Sequence, residues 1–205
     1  MFILHSLEPH FSELGGFNDY TFFGYLGKVR FEKERRSWLV VTSHRKNGDM
    51  SIFLIPSDFR DKFRQIRIAN SNTLLKGHGG RVGFGRYLLI PGDGTHPPYV
   101  LVSLITTFND IPRHIVLVNL REEKIQFDFK LGPLPFGFCV ADFNGDGKRE
   151  ILVSTWAPSN GAAANGLADF NSYLLMLSFQ GKLLYEKKMG EYNSFVEISP
   201  KILPS

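Results

Sequence analysis

Apolar residues along this chain fall in short runs divided by polar stretches rich in glycine, proline and asparagine, and the runs recur. Leu39-Val40-Val41-Thr42, Val100-Leu101-Val102-Ser103 and Ile151-Leu152-Val153-Ser154 share one pattern, three aliphatic residues followed by a hydroxyl residue. Continuous apolar runs of this length, bounded by turn residues, predict buried strands. Each is followed by a second apolar run, at 51–55 (SIFLI), 115–120 (IVLVNL) and 173–179 (YLLMLSF). A more polar, alternating run comes next, at 62–68, 124–131 and 182–189, and a Gly/Phe-rich run precedes each set, at 22–26, 84–90 and 136–141. The unit therefore holds four strands and repeats every 50–60 residues or roughly so, with no helical period in it. Inner strands apolar on both faces and an outer strand half solvated predict an all-β fold, a β-propeller with blades at 20–69, 82–132 and 136–190.

The two ends are out of phase with these blades. Residues 1–15 match the third and fourth strands of a unit, and residues 194–205 match a first strand and a shortened second one. Together they would form a composite blade, since pairing N-terminal with C-terminal strands removes sheet edges. The expectation is a single domain over 1–205, of three full blades plus the composite one. The alternative is a stretch of a larger propeller completed by a second chain or further blades.

The densest chemistry lies in Asp142-Phe143-Asn144-Gly145-Asp146-Gly147-Lys148-Arg149-Glu150. Oxygen-bearing side chains stand at positions 1, 3, 5 and 9 of a tight loop, with glycines at 4 and 6. A hard cation such as Ca²⁺ takes six to eight oxygens, and glycine permits the positive φ needed to bring them to one point. The expected ligands are the side chains of Asp142, Asn144, Asp146 and Glu150 and the backbone carbonyl of Lys148. An EF-hand would place a bidentate Glu at position 12 and continue as a helix. Position 12 here is Val153, inside a strand-like run.

A calcium loop between two strands, VADFNGDGKREILV over 140–153, closely resembles the FG-GAP/VCBS repeats of integrin-α-like β-propellers. The resemblance implies a structural Ca²⁺ that rigidifies one hairpin, with Glu150 standing where Asp is more usual. It also implies that partners bind on loops at the face opposite the calcium hairpins, and propellers that are typically seven-bladed. Members are often extracellular or membrane-attached. The second unit keeps only a reduced form of the loop, Pro91-Gly92-Asp93-Gly94-Thr95-His96, and the first (25–30) has no carboxylate.

Composition changes this picture little. Of 205 residues, 43% are hydrophobic and 14% aromatic, with 19 Phe, enough for a sizeable β-rich core. The net charge of +4 is dispersed. Basic residues alternating at Arg60, Lys62, Arg64 and Arg67 read as protection of an exposed edge strand, not as a nucleic-acid surface. The apolar runs are too short for a membrane helix, and the first residues lack the pattern of a secretory signal. As written the chain reads as cytosolic, or as a piece of something longer. The lone Cys139 excludes an internal disulfide and sits where a buried thiol is expected. The histidines show no paired metal-ligand spacing, and no nucleophile elbow or phosphate loop is present.

The functional expectation is a non-enzymatic scaffold for a protein partner, docking on the loops 45–50, 70–81, 106–113 and 156–171. The last is the longest polar insertion, with Trp156, Asn160, Asn165 and Asp169 as its candidate contacts. A carbohydrate-binding or hydrolytic propeller is the alternative, requiring carboxylates or histidines that converge on a channel.

Overall fold

β-branched and aliphatic runs dictate the architecture, because side chains of this shape fit the pleated surface of a sheet. The computed structural model describes residues 20–31, 34, 36–60, 62–93, 95–106, 110–192, 194, 198 and 201–202. Among the described residues it is all-β apart from one helical turn, α1 (Ser71–Leu75). The chain divides into two compact units, residues 1–73 and 74–205.

The first unit carries a four-stranded antiparallel meander in chain order: β1 (Tyr20–Arg30), β2 (Ser37–Arg45), β3 (Asp49–Pro56) and β4 (Arg64–Asn70). The polarity of the strands has the predicted consequence. In β3 every residue from Met50 to Pro56 is buried, whereas β4 buries Ile66 and Ile68 and exposes Gln65 and Arg67. Val41, Phe53 and Ile55 form its core cluster, with Phe53 edge-to-face against Phe63 at 5.5 Å.

The second unit holds two larger sheets. One is the meander β5 (Val82–Ile90), β6 (Tyr99–Thr106), β7 (Arg113–Asn119) and β8 (Lys124–Leu131). The other is built on β9 (Leu134–Ala141) and β10 (Glu150–Trp156). After the small hairpin β11 (Ala163–Ala164) and β12 (Leu167–Ala168), it continues with β13 (Asn171–Ser178) and β14 (Leu183–Glu191). One apolar cluster joins the two sheets, with Leu101, Ile115, Leu117 and Phe129 on one side and Phe138, Val140, Ile151 and Leu175 on the other. At about 25 cal/mol per Å² of apolar surface removed from water, such a shared layer is the main source of this unit's stability.

Two features depart from the sequence expectation. The outer strand β14 is exposed or half-exposed along its whole length, including Leu184, Tyr185 and Met189, where β8 alternates between buried and exposed from Phe127 to Leu131. The short strand β15 (Lys201–Ile202) pairs parallel with β9 opposite Cys139 and Val140, as a fifth strand of that sheet. Of the expected composite blade, residues 1–15 lie outside the described residues, as does most of 194–205. No helix among the described residues is long and apolar enough to cross a membrane.

Candidate metal centre

The turn between β9 and β10 is set by the ladders on either side of it. Ala141 pairs with Glu150, and Glu150 pairs in turn with Ser178 of β13, so its carboxyl enters the site from a fixed backbone position. Glu150 is 3% exposed, Asp142 is half-buried and Asp146 is exposed. Gly145 and Gly147 have φ of +76° and +81°, and nothing lies within 4 Å of a Cβ built on either. Glycine is needed here for conformation, not for space.

The loop is wound around its own acceptors. The Asp142 carboxylate accepts N–H bonds from Gly145 (2.7 Å) and Asp146 (3.1 Å) on Oδ1 and from Gly147 (2.9 Å) on Oδ2. Asn144 Oδ1 accepts from the Asp146 amide at 2.8 Å, and Asp146 Oδ1 from the Lys148 amide at 2.8 Å, two successive Asx turns. Glu150 accepts from the Phe143 amide (2.9 Å) and from Asn144 Nδ2 (3.1 Å), which ties the end of the loop to its beginning.

The result is a convergence of three carboxylates. One ligand oxygen each from Asp142, Asp146 and Glu150 lies within 4.8 Å of the others. Oxygens around a common Ca²⁺, each about 2.3–2.6 Å from it, stand no more than about 5 Å apart, so this spacing fits that ion. At such separation like charges repel by about 1 kcal/mol per pair in water and by more where burial excludes it. No ion pair to these three groups is present among the described residues. Mutual repulsion, preformed turns and an all-oxygen donor set together favour a hard divalent cation. Of the five expected ligands, the structure brings these three carboxylates together. Asn144 braces the loop through both atoms of its amide, and Lys148 supplies its N–H to Asp146.

Sequence reasoning overlooked Arg149. Its guanidinium pairs with Asp93, from the reduced loop of the preceding sheet. Asp93 Oδ1 also accepts from Thr95 Oγ1 (2.8 Å) and from the His96 amide (2.8 Å). The Thr95 hydroxyl first, then the His96 donors and Arg149, hold the Asp93 carboxyl well below the usual carboxylate range. Where the intact loop gathers three carboxylates that could hold a metal, the reduced loop engages its one carboxylate with protein donors. The pairing spans residues far apart in sequence, so no local pattern announces it. Asp93, His96 and Thr95 do not make a catalytic relay. Thr95 Oγ1 and Asp93 both meet Nδ1 of His96, so the imidazole does not bridge a nucleophile to a carboxylate through its two nitrogens.

The four expected partner contacts scatter in character. Trp156 is half-buried at the end of β10, opposite Leu134. Asn160 is half-buried and donates its amide N–H to Asp169 Oδ2 at 2.8 Å. Asn165 is exposed at the turn of the β11–β12 hairpin and donates Nδ2 to the Lys130 carbonyl at 2.9 Å. Asp169 belongs to the interior instead. It is 0% exposed and forms an ion pair at 3.2 Å with Arg113, itself 1% exposed by side chain, while accepting the Asn160 and Gly161 amides. A carboxylate enclosed in this way organises the loop and offers nothing to a partner.

No family model, no curated protein and no solved structure matches the chain.

Proposed function

We propose that this chain is a calcium-stabilised β-propeller module of FG-GAP/VCBS type that serves as a rigid, non-enzymatic platform for a protein partner. The observation that carries this reading is the meeting of Asp142, Asp146 and Glu150 oxygens within 4.8 Å at the β9–β10 turn. Four-stranded antiparallel meanders in chain order are the secondary structure that propeller blades require. An ion there would pin the first two strands of one sheet at their shared turn, a structural role that needs no substrate. The ordered insertion 157–170, held by the Arg113–Asp169 pair, has the rigidity expected of a recognition loop, with Asn165 and Phe170 (56% exposed) on its surface.

The test is thermal unfolding with EDTA and then with excess Ca²⁺, together with titration calorimetry. Calcium raises the melting temperature of the native chain and leaves Asp146→Ala unchanged. Mg²⁺, which demands stricter octahedral geometry, gives a smaller shift. If chelation leaves the melting temperature where it was and calorimetry detects no calcium heat, the metal reading fails. Substituting Asn165 and Phe170 with folding intact abolishes capture of the partner. A hydrolase panel that instead gave turnover would replace the platform reading with an enzymatic one.

A further inference from the structure

Four Asn-Gly pairs stand in this chain, at 47–48, 144–145, 160–161 and 165–166. In such a pair the glycine nitrogen can turn on the preceding carboxamide with no side chain in its way. The fold treats the four differently. The Gly48 N–H donates to the Arg45 carbonyl at 2.9 Å, the Gly145 N–H to Asp142 Oδ1 at 2.7 Å and the Gly161 N–H to Asp169 Oδ1 at 3.0 Å. A nitrogen held in this way is turned toward its acceptor, and a carboxylate acceptor opposes its loss of a proton by charge. The side chains of Asn47 and Asn144 are pinned as well. In each, Oδ1 accepts the amide two residues on and Nδ2 donates to a carboxylate. The pair at 165–166 is not restrained in this manner. Both residues are exposed at the tip of the β11–β12 hairpin, and nothing lies within 4 Å of a Cβ built on Gly166. Among the described residues no acceptor takes the Gly166 N–H. The Asn165 carboxamide is tied through Nδ2 to the Lys130 carbonyl at 2.9 Å.

We infer that Asn165 is a site of spontaneous modification, where the folded chain deamidates through a succinimide to aspartate and isoaspartate. The Gly166 nitrogen gives its proton to hydroxide and attacks Cγ of Asn165. The N–Cγ bond forms, the Cγ–Nδ2 bond breaks, and Nδ2 leaves as ammonia. One water then opens the ring. Attack at Cγ restores the main chain as aspartate, and attack at the main-chain carbonyl reroutes the backbone through Cγ as isoaspartate. Either product removes the donor to the Lys130 carbonyl and sets a carboxylate beside that oxygen, which repels it. Isoaspartate also adds a methylene to a two-residue turn whose geometry fixes the register of β11 on β12. Modification therefore loosens the hairpin tip. The chemistry is independent of calcium, and only its consequence for partner capture rests on the platform reading.

The experiment is peptide mapping by mass spectrometry of the full chain after incubation in warm, mildly alkaline buffer. The folded protein is compared with the same chain unfolded in guanidinium chloride, and isoaspartyl carboxyls are counted by enzymatic methylation. In the folded chain Asn165 gains one mass unit at least about tenfold faster than Asn47, Asn144 or Asn160, which react only through local opening. In the unfolded chain the four convert at similar rates. Asn165→Gln abolishes the early methylation signal. Asn165→Asp, which is the main-chain product, speeds hydrogen exchange across 163–168 and leaves β6 and β7 unchanged. The proposal is overturned if Asn165 converts no faster than the other three in the folded chain, or if Asn165→Gln keeps the early isoaspartyl signal. Exchange across 163–168 that is the same in Asn165→Asp as in the native chain overturns the loosening of the hairpin.

Discussion

Gly147 isolates the conformational part of the metal loop, because its φ of +81° is strained for any side chain while the space around it is open. Gly147→Ala therefore adds no clash and costs about 1–2 kcal/mol of left-handed backbone strain. The expected outcome is a lower melting temperature in EDTA and a weaker calcium affinity by calorimetry, with the donor set untouched. Asp93 supplies a second residue-scale expectation. Its carboxyl is depressed in the folded chain below the unfolded value of about 3.8. A depressed carboxyl contributes stability that is present above the unfolded pKa and lost as pH falls through it toward the folded one. Acid melts of the native chain and of Asp93→Asn should differ most above about pH 5 and draw together progressively as the pH falls, with much of the difference still present at about pH 3 because the folded carboxyl titrates well below it. Parallel curves across that range would show that Asp93 contributes nothing to the pH dependence. The carboxylates at 142, 146 and 150 were legible in the sequence because their spacing is local. The partners of Asp93 at 149 and of Asp169 at 113 were not, because only the meeting of distant strands makes them neighbours.

Among the elements, strands were the most legible, since burial on one or both faces writes itself into the residue pattern. The expected outer strand at 124–131 coincides with β8, and the apolar run at 51–55 lies within the buried strand β3. The insertion after Trp156 was legible only as polar and long. It is in fact a hairpin whose turn residues, Asn165 and Gly166, have φ of +52° and +80°. That pair is the strongest short hairpin signal a sequence carries, but the flanking strands of two residues each are too brief to show alternation. Gly132 lets the hairpin come close, for a Cβ there would stand 2.2 Å from the Ala162 carbonyl oxygen. Its amide donates to the Leu167 carbonyl at 3.0 Å. The Arg113–Asp169 pair is the strut beneath. Asp169→Ala leaves a buried guanidinium without its counter-charge and should cost about 3–5 kcal/mol in chemical denaturation. Arg113→Met in the same background removes the stranded charge and should recover part of the loss. A double variant no more stable than Asp169→Ala would mean that the loop amides on Asp169, and not the ion pair, carry the cost.

For the whole molecule, the division into two units at residues 73 and 74 makes the reach of calcium a measurable quantity. The metal loop belongs to the second unit, where β9 and β10 share one apolar cluster with β6, β7, β8 and β13. A ligand that binds only the folded state stabilises whatever unfolds cooperatively with its site, by RT ln(1 + [L]/Kd), or about 2.7 kcal/mol at a hundredfold excess over Kd. Packing through that cluster, and the Arg149–Asp93 bridge from the loop to the neighbouring sheet, should carry the effect across the second unit. The first unit has its own core at Val41, Phe53 and Ile55. Hydrogen exchange with and without Ca²⁺ should therefore slow amides in β9, β10 and β13, and also in β6 and β7, while those of β2 and β3 keep their rates. Arg149→Ala should shrink the protection gained by the sheet that carries Asp93 more than that gained by β9 and β10. Equal protection of β2, β3 and β10 on adding calcium would mean that both units unfold as one, and the ion would then stabilise the entire chain.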